Sequence, residues 1–414
     1  MKILIAGLNY PPERIGIAPY TGDLAQWLAA RGHGVEVVTA QPYYPAWHVP
    51  DEFRRLGYDS HDDAGVKVTR CPLYVPAKPS GTKRIIHHAS FAVAMLPPLL
   101  ARAQRRPDVV FAVAPSLMAA PVARLAARVA GAASWLHVQD FEVDAAISTG
   151  LVSGRVARAA TRFERGASAG FDRYSSISPQ MCARLVRQGI APDRVFELRN
   201  AVDLDAITPA AVPSSFRKRW KITVPNVALY SGNLANKQGI DILVDAAMRL
   251  RNRSDILFVI CGEGPARTRL EQRAAGLPNV MFRPLQPRKD LNDLLSLATI
   301  HLLPQLADAA DLVLPSKMTN MLASGRAIVA TAVAGTGIAD ELAGCGVLAP
   351  PGDADALAQA IRALSDDPPR REALGRAARS RALERWSRDA VMQRFEAALL
   401  DLIDARRRAQ VESA

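Results

Sequence analysis

Short apolar runs alternate with amphipathic stretches along nearly all of the 414 residues, and this alternation admits few folds. Parallel strands need a crossover of a dozen or more residues, usually a helix, so the pattern predicts parallel sheets covered on both faces. In the first half the candidate strands are 2–6, 35–39, 66–70, 109–113, 135–139, 174–177 and 195–198. Between the first two, Tyr20, Leu24, Trp27 and Leu28 share a helical face that ends at Gly32 and Gly34, which makes one βαβ unit. Thr208, Pro209, Pro213, Ser214 and Ser215 then interrupt the pattern, and 205–220 reads as a linker. A second alternation follows with strands at 227–231, 256–261, 280–283, 300–303, 327–330 and 347–348, and the chain is helical from Asp353 on. Arg370, Arg371, Arg376, Arg379 and Arg381 read there as solvated helix faces.

A single core stops growing at roughly 250–300 residues, so this length suits two domains. The expected division is 1–205, 206–385, and a C-terminal helix at 386–414 packing back on the first domain. Two doubly wound α/β domains of similar size imply a central cleft, where the C-terminal ends of both sheets face one ligand.

Composition removes several classes. Cys71, Cys182, Cys261 and Cys345 form no CxxC pair, so neither a disulfide framework nor a zinc site is expected, and a reducing cytoplasm fits. The opening MKILIAGLNYPP is too short for the apolar region of a signal peptide. The longest apolar stretch, 85–100, contains His87, His88, Pro97 and Pro98 and falls short of the roughly 20 residues that span a bilayer. The formal charge of +12 fits nucleic acid, an anionic membrane or an anionic substrate. No aromatic-basic RNA motif or zinc-finger spacing supports the first.

Chemistry concentrates in three strand-turn-helix segments of the second half. In YSGNLANKQG, Tyr230 to Gly239, a lysine lies in a glycine-bounded turn after an apolar strand, and Ile240, Leu243, Val244 and Ala247 continue at helical spacing. Such a turn aims free backbone N–H groups at a ligand, Gly232 and Gly239 allow close approach, and Lys237 adds a full positive charge. A phosphate or diphosphate fits it. A solvated lysine on an ordinary loop would look the same in this segment alone. One βα unit later, VICGEGPARTRLE repeats the design with Gly262 and Gly264 flanking Glu263, which should place both turns at one sheet edge. There is no GxxxxGK[ST] and no GxGxxG after the first strand, so neither a P-loop nor a dinucleotide fingerprint is present. In PSKMTNMLASGRAIVAT, Ser316 is a natural N-cap, which puts Lys317 near a helix N-terminus, with Asp308 and Asp311 in the loop before it.

In this order and spacing the segments resemble retaining glycosyltransferases of the GT-B fold in the large class called family 4, over nearly the whole chain. GHGVEVVTA, NAVD, GEGP and ASGRAIVAT carry the general likeness. The opening with PYYPAW, WLHVQDFEVDAA and SGNLANKQG resembles the colanic-acid-biosynthesis branch. The resemblance implies two Rossmann-like domains, a GDP- or UDP-sugar donor in the second, and a glycan or lipid-linked glycan acceptor in the first. It implies retaining hexosyl transfer for exopolysaccharide assembly, without cofactor or required metal. Lys237 would neutralise the leaving diphosphate under the Gly16 loop, and the donor's own phosphate oxygen would act as base. His137, or by alignment Gln139, would be the first-domain catalytic group, with Asp140 beside it. Donor binding would use Gly16, Gly232, Asn233, Lys237, Gly262, Gly264, Arg283, Leu285, Asp311, Lys317 and Asn320.

The chain departs from this pattern at two places. Asn233 stands where arginine is usual, with Lys317 as a substitute cation, and the two usual glutamates fall at Leu312 and Asn320, with Asp311 one position from the first. Asp203-Leu-Asp205 and Asp353-Ala-Asp355 match a DxD metal motif in form, and both read as turns or helix starts. A nucleotide-sugar 2-epimerase of the same fold and a non-catalytic nucleotide-sugar-binding subunit are the alternatives. From Lys83 to Arg106, Phe91, Met95, Leu96, Leu99 and Leu100 mix with Lys83, Arg84, Arg102, Arg105 and Arg106. This is either an interfacial helix on an anionic membrane, peripheral on the inner face, or a pair of buried helices.

Overall fold

The computed structural model describes residues 1–13, 16–54, 57–78, 80–141, 154–201, 204–234, 239–306 and 316–412. The chain divides into two compact units, Met1–Asn200 with Met392–Ala414, and Ala201–Val391. The first is built on eight strands: β1 (Lys2–Gly7), β2 (Gly34–Ala40), β3 (Asp59–Asp63), β4 (Val66–Cys71), β5 (Val109–Ala114), β6 (Ala133–Val138), β7 (Arg173–Ser176) and β8 (Val195–Glu197). Their order is β3-β4-β2-β1-β5-β6-β7-β8. All pairings are parallel except β3 with β4. The sequence does not announce β3, because DSHDD has no apolar residue to bury and the strand sits at the sheet edge. Side chains hold it: Ser60 and Thr69 hydroxyls lie 2.8 Å apart, and Tyr10 donates to Asp63 at 3.0 Å.

The second unit carries β9 (Asn226–Ser231), β10 (Ile256–Cys261), β11 (Val280–Arg283), β12 (Ile300–Leu303), β13 (Ala327–Thr331) and β14 (Val347–Ala349). The order is β11-β10-β9-β12-β13-β14, parallel throughout. Leaving aside the antiparallel edge strand β3, both orders reverse direction once, between β1 and β5 and between β9 and β12. Open α/β sheets bind ligands beyond the carboxyl ends of the strands at such a point.

Cores form where the strands' apolar faces meet their crossover helices. Leu4, Val110 and Leu136 pack against Phe91, Met95 and Leu99 of helix Gly81–Ala103. Opposite, Phe395 of helix Arg388–Glu412 meets Phe111 and Trp135 edge-on, at 5.1 and 5.2 Å.

Three local expectations change. The stretch read as a linker belongs to the second unit: Ser214 caps helix Ser215–Arg219, and Phe216 is fully buried among Ile222, Val227 and Leu229. The apolar stretch read as too short to span a bilayer is part of one 23-residue helix, Gly81–Ala103, that includes Pro97 and Pro98. By length and composition alone, with a mean hydropathy of 1.2, it could cross a membrane. Its fully buried Phe91, Met95 and Leu99 instead lay it along the sheet.

The arginines of helix Pro368–Trp386 are not uniformly solvated. Arg370 and Arg376 are exposed, but Arg371 donates to Leu364 O at 3.0 Å, Arg379 to Ala323 O at 2.9 Å and Ile207 O at 2.8 Å, and Arg381 to Glu341 O at 2.9 Å. Each of the three reaches carbonyls at the C-terminal end of another helix, where the backbone lacks partners and carries partial negative charge. Arg379→Ala is expected to cost about 1.5–3 kcal/mol, the worth of a charged hydrogen bond, seen as a lower denaturant midpoint.

Candidate active site

The site of the second unit begins where β9 ends. Gly232 N donates to Cys261 O at 3.0 Å, Leu234 N to Glu263 O at 2.8 Å and Ala266 N to Leu234 O at 3.0 Å, so the turns after β9 and β10 are laced together. Their contact is close enough to exclude side chains: a Cβ on Gly262 would lie 1.9 Å from Gly232 O, and one on Gly264 would lie 2.6 Å from Leu234 O. Gly232 and Gly264 both hold φ of +153°, open to glycine alone in practice. The expectation that the two glycine turns share one edge is met by the parallel pairing of β9 with β10. Lys237 lies outside the described residues. The chain resumes at Gly239, with φ of +65°, and buries Ile240, Leu243, Val244 and Ala247 as their spacing predicts.

Lys317 enters this turn from the first turn of helix Ser316–Ala323. Its Nζ lies 4.5 Å from the centre of the Tyr230 ring and donates to Tyr230 Oη at 3.2 Å, while that hydroxyl donates to Asn233 O at 2.8 Å. Lys317 Cδ is 3.7 Å from where a Gly232 Cβ would sit. A cation is thus packed beneath Gly232 and Asn233, and burial pulls its pKa down to about 8. Asn320, one helical turn on, is half-buried. Asp308 and Asp311 lie outside the described residues.

Arg283 ends β11 opposite Cys261. Its carbonyl accepts from Gly262 N at 3.0 Å and its guanidinium sits 5.5 Å from the Trp220 ring centre. Leu285, two residues on, is exposed. Two residues that shape these turns escaped the sequence reading. Tyr230 is fully buried and joins Lys317 to the turn, and Arg267 props the second turn by donating to Gly262 O at 2.8 Å. A tyrosine closing an apolar strand and an arginine in the first turn after GEGP were the available signals.

In the first unit, the loop after β1 is fastened by Glu13. Its Oε1 accepts from the backbone N–H of Tyr43 and of Tyr44, both at 2.8 Å, and its Oε2 accepts from Asn9 at 2.8 Å. Burial raises its pKa despite those bonds. Gly16, with φ of +74°, lies against Tyr44, whose ring would be 3.5 Å from an added Cβ. His137 lies inside β6, 3% exposed, stacked on Phe111 and with Nδ1 2.8 Å from Ser175 Oγ. Burial lowers its pKa to about 3, which keeps it neutral. Gln139 is buried just beyond it and Asp140 is exposed at the strand's end. Glu142 and Asp203 lie outside the described residues. Asp353 caps helix Ala354–Asp366 by accepting from Ala356 N at 2.8 Å, and Asp355 pairs with Arg249.

Two doubly wound sheets, the second with a cation beneath paired glycine turns at its switch point, define the GT-B class of glycosyltransferases. Solved structures share this fold at low identity. Sucrose-phosphate synthase of Thermosynechococcus elongatus superimposes with a TM-score of 0.72 at 18% identity, covering 98% of this chain and 100% of that one. HepE of Anabaena, solved with UDP, gives 0.70 at 16%, covering 97% and 100%. The family described as "Glycosyl transferase 4-like domain" matches residues 16–201, and "Glycosyl transferases group 1" matches residues 225–367. A protein described as the putative colanic acid biosynthesis glycosyl transferase WcaI of Escherichia coli (strain K12) is 41% identical over 374 residues, 87% of this chain and 91% of its own. The chain belongs to this glycosyltransferase family.

Proposed function

We propose that the protein transfers a hexose, with retention of configuration, from a GDP- or UDP-linked donor to a lipid-linked or oligosaccharide acceptor in cell-surface polysaccharide assembly. The observation that carries this is Lys317 seated on Tyr230 beneath the paired glycine turns. A buried cation beneath the glycine turn stabilises the negative charge that develops as a diphosphate leaves, and such preorganised charge usually lowers the barrier more than any other single effect. Lys237, from the same turn, is the second cation. Together they meet the charge a metal would otherwise meet, and Lys317 occupies the role that Asn233 cannot fill. Arg283, Leu285, Asn320 and Asp311 complete the donor side. In the first unit, the resemblance assigns Gly16 to the diphosphate and Asp140 to the acceptor hydroxyl, and neutral His137 steadies the strand end below Asp140. The similarity to WcaI supports the polysaccharide role, and peripheral attachment to the inner membrane face is part of the same reading.

Thermal-shift screening against a panel of nucleotide-sugars, followed by turnover with the best binder and lipid-linked acceptor extracts, tests it. Stabilisation by one donor and transfer from it are expected, and an absence of both would sink the proposal. A pH series isolates Lys317. Its amine is charged below about 8 and neutral above, and a diphosphate prefers the charged form. Donor affinity is therefore highest below pH 8 and falls as pH rises through that value. In Lys317→Met, affinity should be about tenfold weaker, the worth of one charged hydrogen bond, and the decline near pH 8 should vanish.

A further inference from the structure

Helix Gly81–Ala103 leaves an apolar face uncovered from its first turns to Pro97. Ile85, Ile86 and Val93 are 56%, 49% and 73% exposed, and Pro97 continues the row at helical spacing. Two exposed tyrosines extend it: Tyr58 donates to Ala94 O at 2.9 Å, and Tyr74 N donates to Ser90 Oγ at 2.9 Å. A contiguous patch of this kind marks an interaction surface.

Charge identifies the partner. From 64 to 107 the sequence holds eight Lys and Arg and no Asp or Glu. Lys78, Lys83 and Arg84 are exposed beside the apolar row, and no charged residue follows until Arg102. In the acidic strand β3, Asp63 is bound by Tyr10 and Gln26, while Asp62 is exposed. Apolar side chains bordered by basic ones, with aromatic hydroxyls at the rim, fit an anionic bilayer surface. Two basic residues at the far end of the segment are committed elsewhere. Arg102 and Arg105 pair with Glu36 of β2 at 3.1 and 3.0 Å.

We infer that the uncovered face of this helix, with Tyr58 and Tyr74, docks the protein on an anionic lipid bilayer, from which the lipid-linked acceptor is drawn. The inference rests on the acceptor class proposed above and adds the contact surface. The helix also reaches the acceptor side of the first unit. Arg84 lies 5.3 Å from the Trp47 ring centre and His87 lies 4.4 Å from that of Tyr43, whose backbone N–H is bound by Glu13 in the loop leading to Gly16.

Co-sedimentation of the full chain with vesicles of phosphatidylglycerol and phosphatidylcholine, and with phosphatidylcholine alone, tests this without donor or acceptor, so it can fail while sugar transfer stands. Ile86→Ser/Val93→Ser, at exposed positions that leave the core intact, should bind mixed vesicles at least tenfold more weakly. Lys83→Ser/Arg84→Ser should lose the preference for phosphatidylglycerol, whereas Arg105→Ser/Arg106→Ser should bind as wild type. Unchanged binding by the Ile86/Val93 variant overturns the inference. So does loss of binding only in the Arg105/Arg106 variant. A change in the Ile86/Val93 variant's oligomeric state with vesicle binding intact overturns it as well, and assigns the patch to contacts between copies.

Discussion

Lys237→Ala is expected to lower kcat for sugar transfer by about 10²- to 10³-fold, the cost of removing one preorganised partner of a developing negative charge. The loss should fall on kcat more than on donor affinity. On the proposed reading Lys317 still holds the ground-state diphosphate, whereas the extra charge appears only as the glycosidic bond breaks. Steady-state kinetics with the donor found by screening separates the two. Near wild-type kcat would remove Lys237 from the mechanism. Donor binding without turnover in the wild type would instead favour the binding-subunit alternative.

Gly262→Ala should be the most damaging single methyl in the second unit. Its Cβ would meet a backbone carbonyl, Gly232 O, at 1.9 Å, so relief requires the two turns to separate. Overpacking of this kind costs about 1–3 kcal/mol, and here it would also break the Leu234 N to Glu263 O bond that shapes the turn after β9. A lower melting temperature and loss of donor-induced stabilisation are expected together. Gly166→Ala is the control, since nothing lies within 4 Å of the added carbon in helix Gly154–Ser168. It should stabilise by about 0.5–1 kcal/mol. Equal melting shifts in the two variants would refute the packing argument.

The parallel strands were legible because burial on both faces leaves little room for polar residues: β5 and β10 are buried at every position. The pairing of the two glycine turns was legible too, because consecutive βα units place β10 beside β9. Edge strand β3 was not, since nothing in Asp59–Asp63 has to leave water. The contact of Lys317 with Tyr230 was equally hidden. It joins residues 87 positions apart, and only the register of β9 and β12 and the placing of the following helix bring them together. Local periodicity reports what a residue must avoid, but not which distant residue it meets. The same reason explains Arg371, Arg379 and Arg381, which look like any exposed basic row until the carbonyls they cap are placed.

Those caps have a mechanical side. Helix Ser316–Ala323 is short, bound by Arg379 at its last carbonyl and bearing Lys317 about 9 Å away at roughly 1.5 Å per residue. Arg379 is therefore expected to bear on the aim of a cation it never touches, together with the buried Met318, Met321 and Leu322. Weaker donor binding in an Arg379 variant would be a lever effect, needing no relay of contacts between the two residues.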